Sequence, residues 1–213
     1  EEGTEVVESK KLYKFDGAVY SRRSMNISGT GSLNVVAENE GIGSEMHLTI
    51  NGGNINIKSG NDGINVNEEN ISVFTMNEGT LNIQVTGETG EGDGIDSNGW
   101  LIVNGGTVNS FSNAESRDSG VDADKGIYIN GGTVVSTGNM PAEIADGKLT
   151  AMTFQSMEKL EPSKKYKVKN SEGDVVLSAS LKNAFSILTV ASEEIIAEDT
   201  YTLWLEDAEL AAG

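Results

Sequence analysis

Asn51-Gly52-Gly53-Asn54, Asn77-Glu78-Gly79-Thr80, Asn104-Gly105-Gly106-Thr107 and Asn130-Gly131-Gly132-Thr133 follow one another at intervals of 26, 27 and 26 residues. A fixed period of this length marks a repeat architecture, in which each repeat is one supersecondary unit stacked on the next. Each copy is preceded by Gly-Ile or Gly-Val, at Gly41-Ile42, Gly63-Ile64, Gly94-Ile95 and Gly120-Val121, and three of these pairs stand ten residues before the Asn. The second copy is longer by the four residues Glu68 to Ile71.

Apolar residues alternate with polar ones around each Asn, the two-residue period of a strand with one buried face. Leu48, Phe74, Leu101 and Ile127 stand three residues before it, Ile50, Met76, Val103 and Ile129 one before, and Ile55, Leu81, Val108 and Val134 four after. These columns form the expected core, whereas Asn56, Asn82 and Asn109 fall in an interleaved column that faces solvent. A weaker copy from Met25 to Val35 extends the array to about five coils. One coil cannot bury its apolar face alone, so coils stack at about 4.8 Å. The pattern therefore predicts an all-β parallel β-helix over residues 15–145. At each corner the glycine accepts positive φ, and the Asn bonds to its equivalent one rung away, a structural rather than a binding role.

Beyond residue 145 the period is lost. Residues 146–213 read as short alternating strands, a small β-rich C-terminal cap covering edges that would otherwise aggregate, with Trp204 in its core. Residues 1–14, charged and without pattern, are expected to be loose.

Composition narrows the function. With 26 Gly against 2 Pro, only glycines at fixed positions are compatible with a folded chain. Lys+Arg 15 against Asp+Glu 33 gives a net charge of −18, which favours metal cations and disfavours nucleic acid. Zero Cys and one His, His47, remove disulfides, thiol catalysis, Ser-His-Asp chemistry and the usual zinc sites, leaving oxygen ligands. No apolar run approaches the roughly 20 residues of a membrane helix, and no signal-peptide apolar region stands in the chain as given.

Acid-rich turns recur in register at Asn61-Asp62-Gly63-Ile64-Asn65, Glu91-Gly92-Asp93-Gly94-Ile95-Asp96-Ser97-Asn98-Gly99 and Asp118-Ser119-Gly120-Val121-Asp122-Ala123-Asp124. With Ile64, Ile95 and Val121 inward, Asn65, Asp96 and Asp122 form an outward ladder. Two carboxylates about 5 Å apart repel by roughly 3 kcal/mol at an effective dielectric near 20. Calcium, which takes about six to eight oxygens from Asp, Asn and carbonyl groups, would offset this; magnesium, which keeps its water, suits the turn less. Candidate ligands are Asp93, Asp96, Asp122 and Asp124, with Asp62, Asn65 and Asp118 in the same turns. The competing reading is that these acids are solvated or paired with Arg117 and Lys125.

For sugar stacking, Phe74 falls inward, whereas Trp100 and Tyr128 face outward or would pack under the cap. Asn82 and Asn109 are the candidate polar contacts to carbohydrate. A calcium-assisted β-elimination would need a base such as Lys125 or Arg117 beside the metal, and a surface cation balancing acids explains those residues equally.

The runs Asp16-Gly17-Ala18-Val19-Tyr20-Ser21 and Ile27-Ser28-Gly29-Thr30-Gly31, with the two aspartate turns and Lys125-Gly126-Ile127-Tyr128-Ile129-Asn130-Gly131-Gly132-Thr133, resemble the β-helix carbohydrate-binding family of bacterial cell-surface proteins. The resemblance covers about residues 15 to 205. It implies a right-handed parallel β-helix, bound Ca2+, and a plant cell-wall polysaccharide partner such as cellulose or acidic pectic sugars. It further implies a non-enzymatic, extracellular or cell-surface bacterial module, with no nucleic acid partner and no membrane insertion, expected as a monomer. Gly43 stands where later coils carry Asn65, Asp96 and Asp122, which argues against a metal at that level. Two rival functions are a calcium-dependent polysaccharide lyase and a structural surface spacer or adhesin.

Overall fold

The computed structural model describes residues 15–87, 92–145 and 147–213, and among these there is no helix. The expected loose segment 1–14 lies outside the described residues. The first coil comprises β1 (Gly17–Ser21), β2 (Met25–Ile27) and β3 (Ser32–Val36). The second has β4 (Glu40–Ser44) and the long β5 (His47–Ser59), the third β6 (Ile64–Val66) and the long β7 (Val73–Val85). The fourth has β8 (Ile95–Ser97), β9 (Trp100–Val103) and β10 (Thr107–Phe111), and the fifth β11 (Gly126–Ile129) and β12 (Thr133–Gly138).

Stacking these coils in parallel builds three faces. Face one is β1-β4-β6-β8, extended by the bridge Ile95↔Val121. Face two stacks β2, the first half of β5, the first half of β7, β9 and β11. Face three stacks β3, the second halves of β5 and β7, β10 and β12. The result is a β-solenoid of about four turns from first rung to last.

The registers join the columns read from the sequence: Leu48, Phe74, Leu101 and Ile127 are mutual partners, as are Ile55, Leu81, Val108 and Val134. All eight are 0–1% exposed and share one core. Burying each such side chain contributes about 1.5–3 kcal/mol, which no isolated coil could collect. At the corner between faces two and three, Gly53, Gly79, Gly106 and Gly132 have φ of 91, 92, 79 and 80°. A Cβ on Gly106 would lie 2.6 Å from the Gly79 carbonyl oxygen, so both conformation and space require glycine. Gly105 and Gly131, one position earlier, lack positive φ, and the third coil carries Glu78 at that position.

The remaining strands are β13 (Ala151–Leu160), β14 (Lys165–Lys169), β15 (Val175–Ser180), β16 (Phe185–Ala191), β17 (Thr202–Leu205) and β18 (Ala208–Ala212). β16 pairs antiparallel with β12, and β13 with β16, so the last edge of face three is covered by hydrogen-bonded strands. β15-β14-β17-β18 form a separate antiparallel sheet. Its inner residues Tyr166, Val168 and Leu203 join Phe111 and Val135 of the solenoid in a second core. Trp204 is a correction to the expected cap core: β17 alternates, Leu203 takes the inward position, and Trp204 stands half-buried on the outer side with the Lys169 Nζ 3.8 Å from its ring centre.

Candidate functional site

Two parts of the surface gather polar side chains, and both follow from in-register stacking. On face three, Asn34, Asn56, Asn82 and Asn109 are successive partners. Each Nδ2 donates to the Oδ1 one rung before it, at 3.0 Å (Asn56 to Asn34), 2.9 Å (Asn82 to Asn56) and 2.9 Å (Asn109 to Asn82). The corner asparagines behave alike: Asn77 donates to Asn51 at 2.8 Å, Asn104 to Asn77 at 2.9 Å and Asn130 to Asn104 at 3.0 Å. An amide is both donor and acceptor, so such a ladder satisfies itself and still offers a second N–H and lone pair outward.

Beside the face-three ladder runs a parallel column of Val36, Lys58, Gln84 and Phe111. Together the two columns floor a groove of about 610 Å³, whose opposite wall is Ser178, Ala179, Ser180 and Lys182. No Asp or Glu lines it, although the chain holds 33 acids. Asn183 pins the wall to the floor. It is 6% exposed and donates to the Val85 and Ser112 carbonyl oxygens, each at 2.6 Å, while accepting from Gln84 Nε2 at 3.0 Å. At the last rung the ladder position is Val135, which belongs to the second core, so the groove ends where the cap closes on the solenoid.

The second gathering lies along face one. Asn65 is the partner of Asp96, and the bridge Ile95↔Val121 sets Asp122 on the next rung. Carboxylate oxygens of Asp93, Asp96 and Asp122 lie within 4.8 Å of one another. Around them, Asp93 Oδ1 accepts from the Ser119 amide at 2.8 Å, Asp62 Oδ1 from the Asp93 amide at 2.8 Å, and Asp118 Oδ2 from the Gly92 amide at 2.5 Å. Asp124 is outside the three-carboxylate group, in a hollow with Lys125 and Glu143. Among the described residues neither Arg117 nor Lys125 forms a salt bridge to these acids.

The expected outward ladder is more enclosed than alternation suggested. Asn65 is 3% exposed, because it lies between Glu40 on the preceding rung and Asp62 in its own turn, donating to Glu40 Oε1 at 3.0 Å and to Asp62 Oδ2 at 3.1 Å. Burial pushes the Asp93 carboxyl from 3.8 up to about 9; the Ser119 amide opposes this, and the charges of Asp118, Asp122 and Asp62 add to it. Asp122 is raised for the same first reason, with Asp124, Glu143 and Asp118 contributing and the Ala123 amide opposing.

A model match to a family described as carbohydrate-binding domain-containing protein spans residues 2–203. The chain belongs to this carbohydrate-binding domain family. No curated protein and no solved structure matches it. For a carbohydrate-binding domain the distribution of the candidate contacts matters. Asn82 and Asn109 lie in the groove, whereas Trp100 and Tyr128 stand half-buried on face two, with Trp100 opposite Gly126. Tyr128 lies over Gly126, whose Cβ position is 3.3 Å from the ring, and neither aromatic belongs to the second core. Lys58, Gln84 and Lys182 were not legible as groove residues, since their only signal is the neighbouring column of asparagines.

The family resemblance implies calcium, and the face-one residues fit it. Oxygens bound to one calcium at 2.3–2.6 Å lie within about 5 Å of each other, which the three carboxylates satisfy. In the amide ladders Nδ2 serves the rung before and Oδ1 the rung after. Asn65 likewise gives its Nδ2 to Glu40, but the next rung presents Asp96, which when ionised has no proton to give, and Asn65 Oδ1 is buried without a hydrogen bond.

Proposed function

We propose that this chain is a non-catalytic, extracellular, calcium-stabilised carbohydrate-binding module that holds a plant cell-wall polysaccharide in the groove between the face-three asparagine ladder and β15. The observation that carries this reading is the acid-free groove itself. Its floor spans four rungs, about 14 Å, long enough for several sugar units. Asn34, Asn56, Asn82, Asn109 and Gln84 offer amide donors and acceptors to ring hydroxyls, Lys58 and Lys182 add donors, and the exposed Val36 offers apolar surface to pyranose C–H faces. A rigid, self-bonded ladder loses little conformational freedom when a glycan settles on it, which favours binding over rearrangement.

Asp93, Asp96 and Asp122, with Asn65 Oδ1, are the residues that would hold the ion, which would neutralise their mutual repulsion and so stabilise the turns between rungs. Metal and groove occupy different faces, so calcium on this reading supports the fold rather than bridging protein and sugar.

The test is retention on insoluble cellulose and on polygalacturonate, each with calcium and with chelator. The wild type is retained, a Lys58→Ala/Lys182→Ala variant is retained several-fold less, and incubation with polygalacturonate produces no unsaturated-uronate absorbance. No retention on either polymer would leave a structural spacer, and a rise in absorbance would make the protein a lyase.

A further inference from the structure

The outer face of the β15-β14-β17-β18 sheet has no role in the groove as described, yet it concentrates positive charge in a chain of net charge −18. Tyr166 and Val168 are each 1% exposed, so the alternation of β14 turns Lys165, Lys167 and Lys169 to the other side, in a row about 13 Å long. Lys165 is opposite Ser180, Lys167 lies between Ser178 and Trp204, and Lys169 is opposite Thr202. Among the described residues none of the three lysines forms a salt bridge. The Lys169 ammonium is held over the Trp204 ring, whose Nε1 donates to Thr202 Oγ1 at 2.7 Å. It stands at the edge of a hollow of about 490 Å³ lined by Asn170, Ser171 and Thr200. Glu209, across Trp204 from Lys167, is an acid on this face.

Ser178 and Ser180 also line the groove, so the lysine row begins where the groove wall ends. Lys58 and Lys182 line the groove together with those serines, and Lys165 and Lys167 are the serines' partners on the neighbouring strand. We infer that this outer cap face is a second binding surface, on which Lys165, Lys167 and Lys169 take the carboxylates of an acidic polysaccharide whose chain continues from the groove, by direct ion pairing without calcium. Charge complementarity selects the occupant: a neutral glycan gains nothing from an ammonium row, whereas a uronate polymer places carboxylates repeatedly along an extended chain. The inference rests on the groove reading for the path of the chain and adds a second, calcium-independent contact surface on the cap.

The experiment compares the full chain with its Lys165→Ala/Lys167→Ala/Lys169→Ala and Lys165→Arg/Lys167→Arg/Lys169→Arg variants. All three residues point outward, so equal melting temperatures verify the fold. Affinity for soluble polygalacturonate is measured in chelator at low and high salt, beside retention on cellulose. The alanine variant is expected to lose about tenfold or more in uronate affinity at low salt, to respond less steeply to salt, and to keep its cellulose retention, with the arginine variant restoring uronate binding. Equal uronate affinity of wild type and alanine variant in chelator, or uronate binding that appears only with calcium, would overturn the inference while intact cellulose retention left the groove standing. Self-association lost in the alanine variant, with unchanged uronate affinity, would assign the face to a second copy of the chain instead. A wild type that binds neither polymer would sink both readings.

Discussion

The Asn56-Asn82-Asn109 column and the Asn65-Asp96-Asp122 column are built by the same geometry and meet opposite fates. Both place like side chains on successive rungs of one solenoid. In the first, every side chain is donor and acceptor, and the column closes on itself through bonds of 2.9 Å. In the second, Asp96 and Asp122 only accept when ionised, Asp93 joins them within 4.8 Å, and Asn65 Oδ1 is left buried without a donor. Stacking multiplies whatever chemistry one rung carries: an amide gives a self-sufficient ladder, a carboxylate gives a demand for protons or a cation.

The largest effect comes from destroying the register on which both columns depend. Leu101→Ala, deep in the solenoid core, is expected to lower stability by about 2–5 kcal/mol in urea unfolding, with calcium present or absent. The next is metal removal, which separates the columns. Calcium at a hundredfold excess over its Kd should add about 2.7 kcal/mol and raise the melting temperature, and chelator should remove it. An unchanged melting curve together with no metal by elemental analysis would break the comparison.

Exchanging the chemistries is a sharper test. Asn82→Asp inserts an acceptor-only group into the amide ladder, removes the donor to Asn56 Oδ1, and should cost about 0.5–1.5 kcal/mol regardless of calcium. Asp96→Asn supplies a donor facing Asn65 Oδ1. In chelator it should be neutral or stabilising by about 1 kcal/mol, and it should abolish most of the calcium-dependent gain.

A separate test is the pH dependence in chelator. The folded Asp93 value of about 9 lies above the ordinary 3.8, so the native state binds the extra proton in between. The Asp93 contribution is fully present below about pH 3.8 and is lost as pH rises towards about 9, so the urea midpoint of the metal-free protein should drift down over that window. With calcium bound the carboxylate form is favoured and the drift should vanish. A chelated midpoint that rises steadily across the same range would contradict it.

Much of the fold was legible because the period of the solenoid is written in residues whose reasons are local. Gly106 and Gly132 require positive φ, Leu101 and Ile127 alternate inward, and Asn104 and Asn130 bond to each other one period apart. The clustering of acids was legible for the same reason, since Asp93, Asp96 and Asp122 sit in turns that the period brings into register. Its degree of burial was not. Alternation says that Asn65 points away from the core, but only Glu40 from the rung before and Asp62 from its own turn enclose it.

Trp204 was misread because an aromatic in an aperiodic segment suggests a core, and the facing of a short strand depends on which sheet it joins. The groove was illegible for a further reason. Its floor comes from the solenoid and its wall from β15, and the two are held together by Asn183 bonding to Ser112 and Gln84, partners 71 and 99 residues away. No period connects those residues.

By itself, then, the sequence determined the stacked coils, their core and their acid-rich turns, because each follows from short-range conformational demands repeated at a constant interval. Only the tertiary structure decided where the acid-free groove lies, which way the lysines of β14 face, and that the cap wall stands opposite an asparagine ladder. Those features depend on how an aperiodic segment packs across the solenoid through Phe111, Val135 and Asn183, contacts that arise from complementarity of shape and hydrogen bonding between distant parts of the chain.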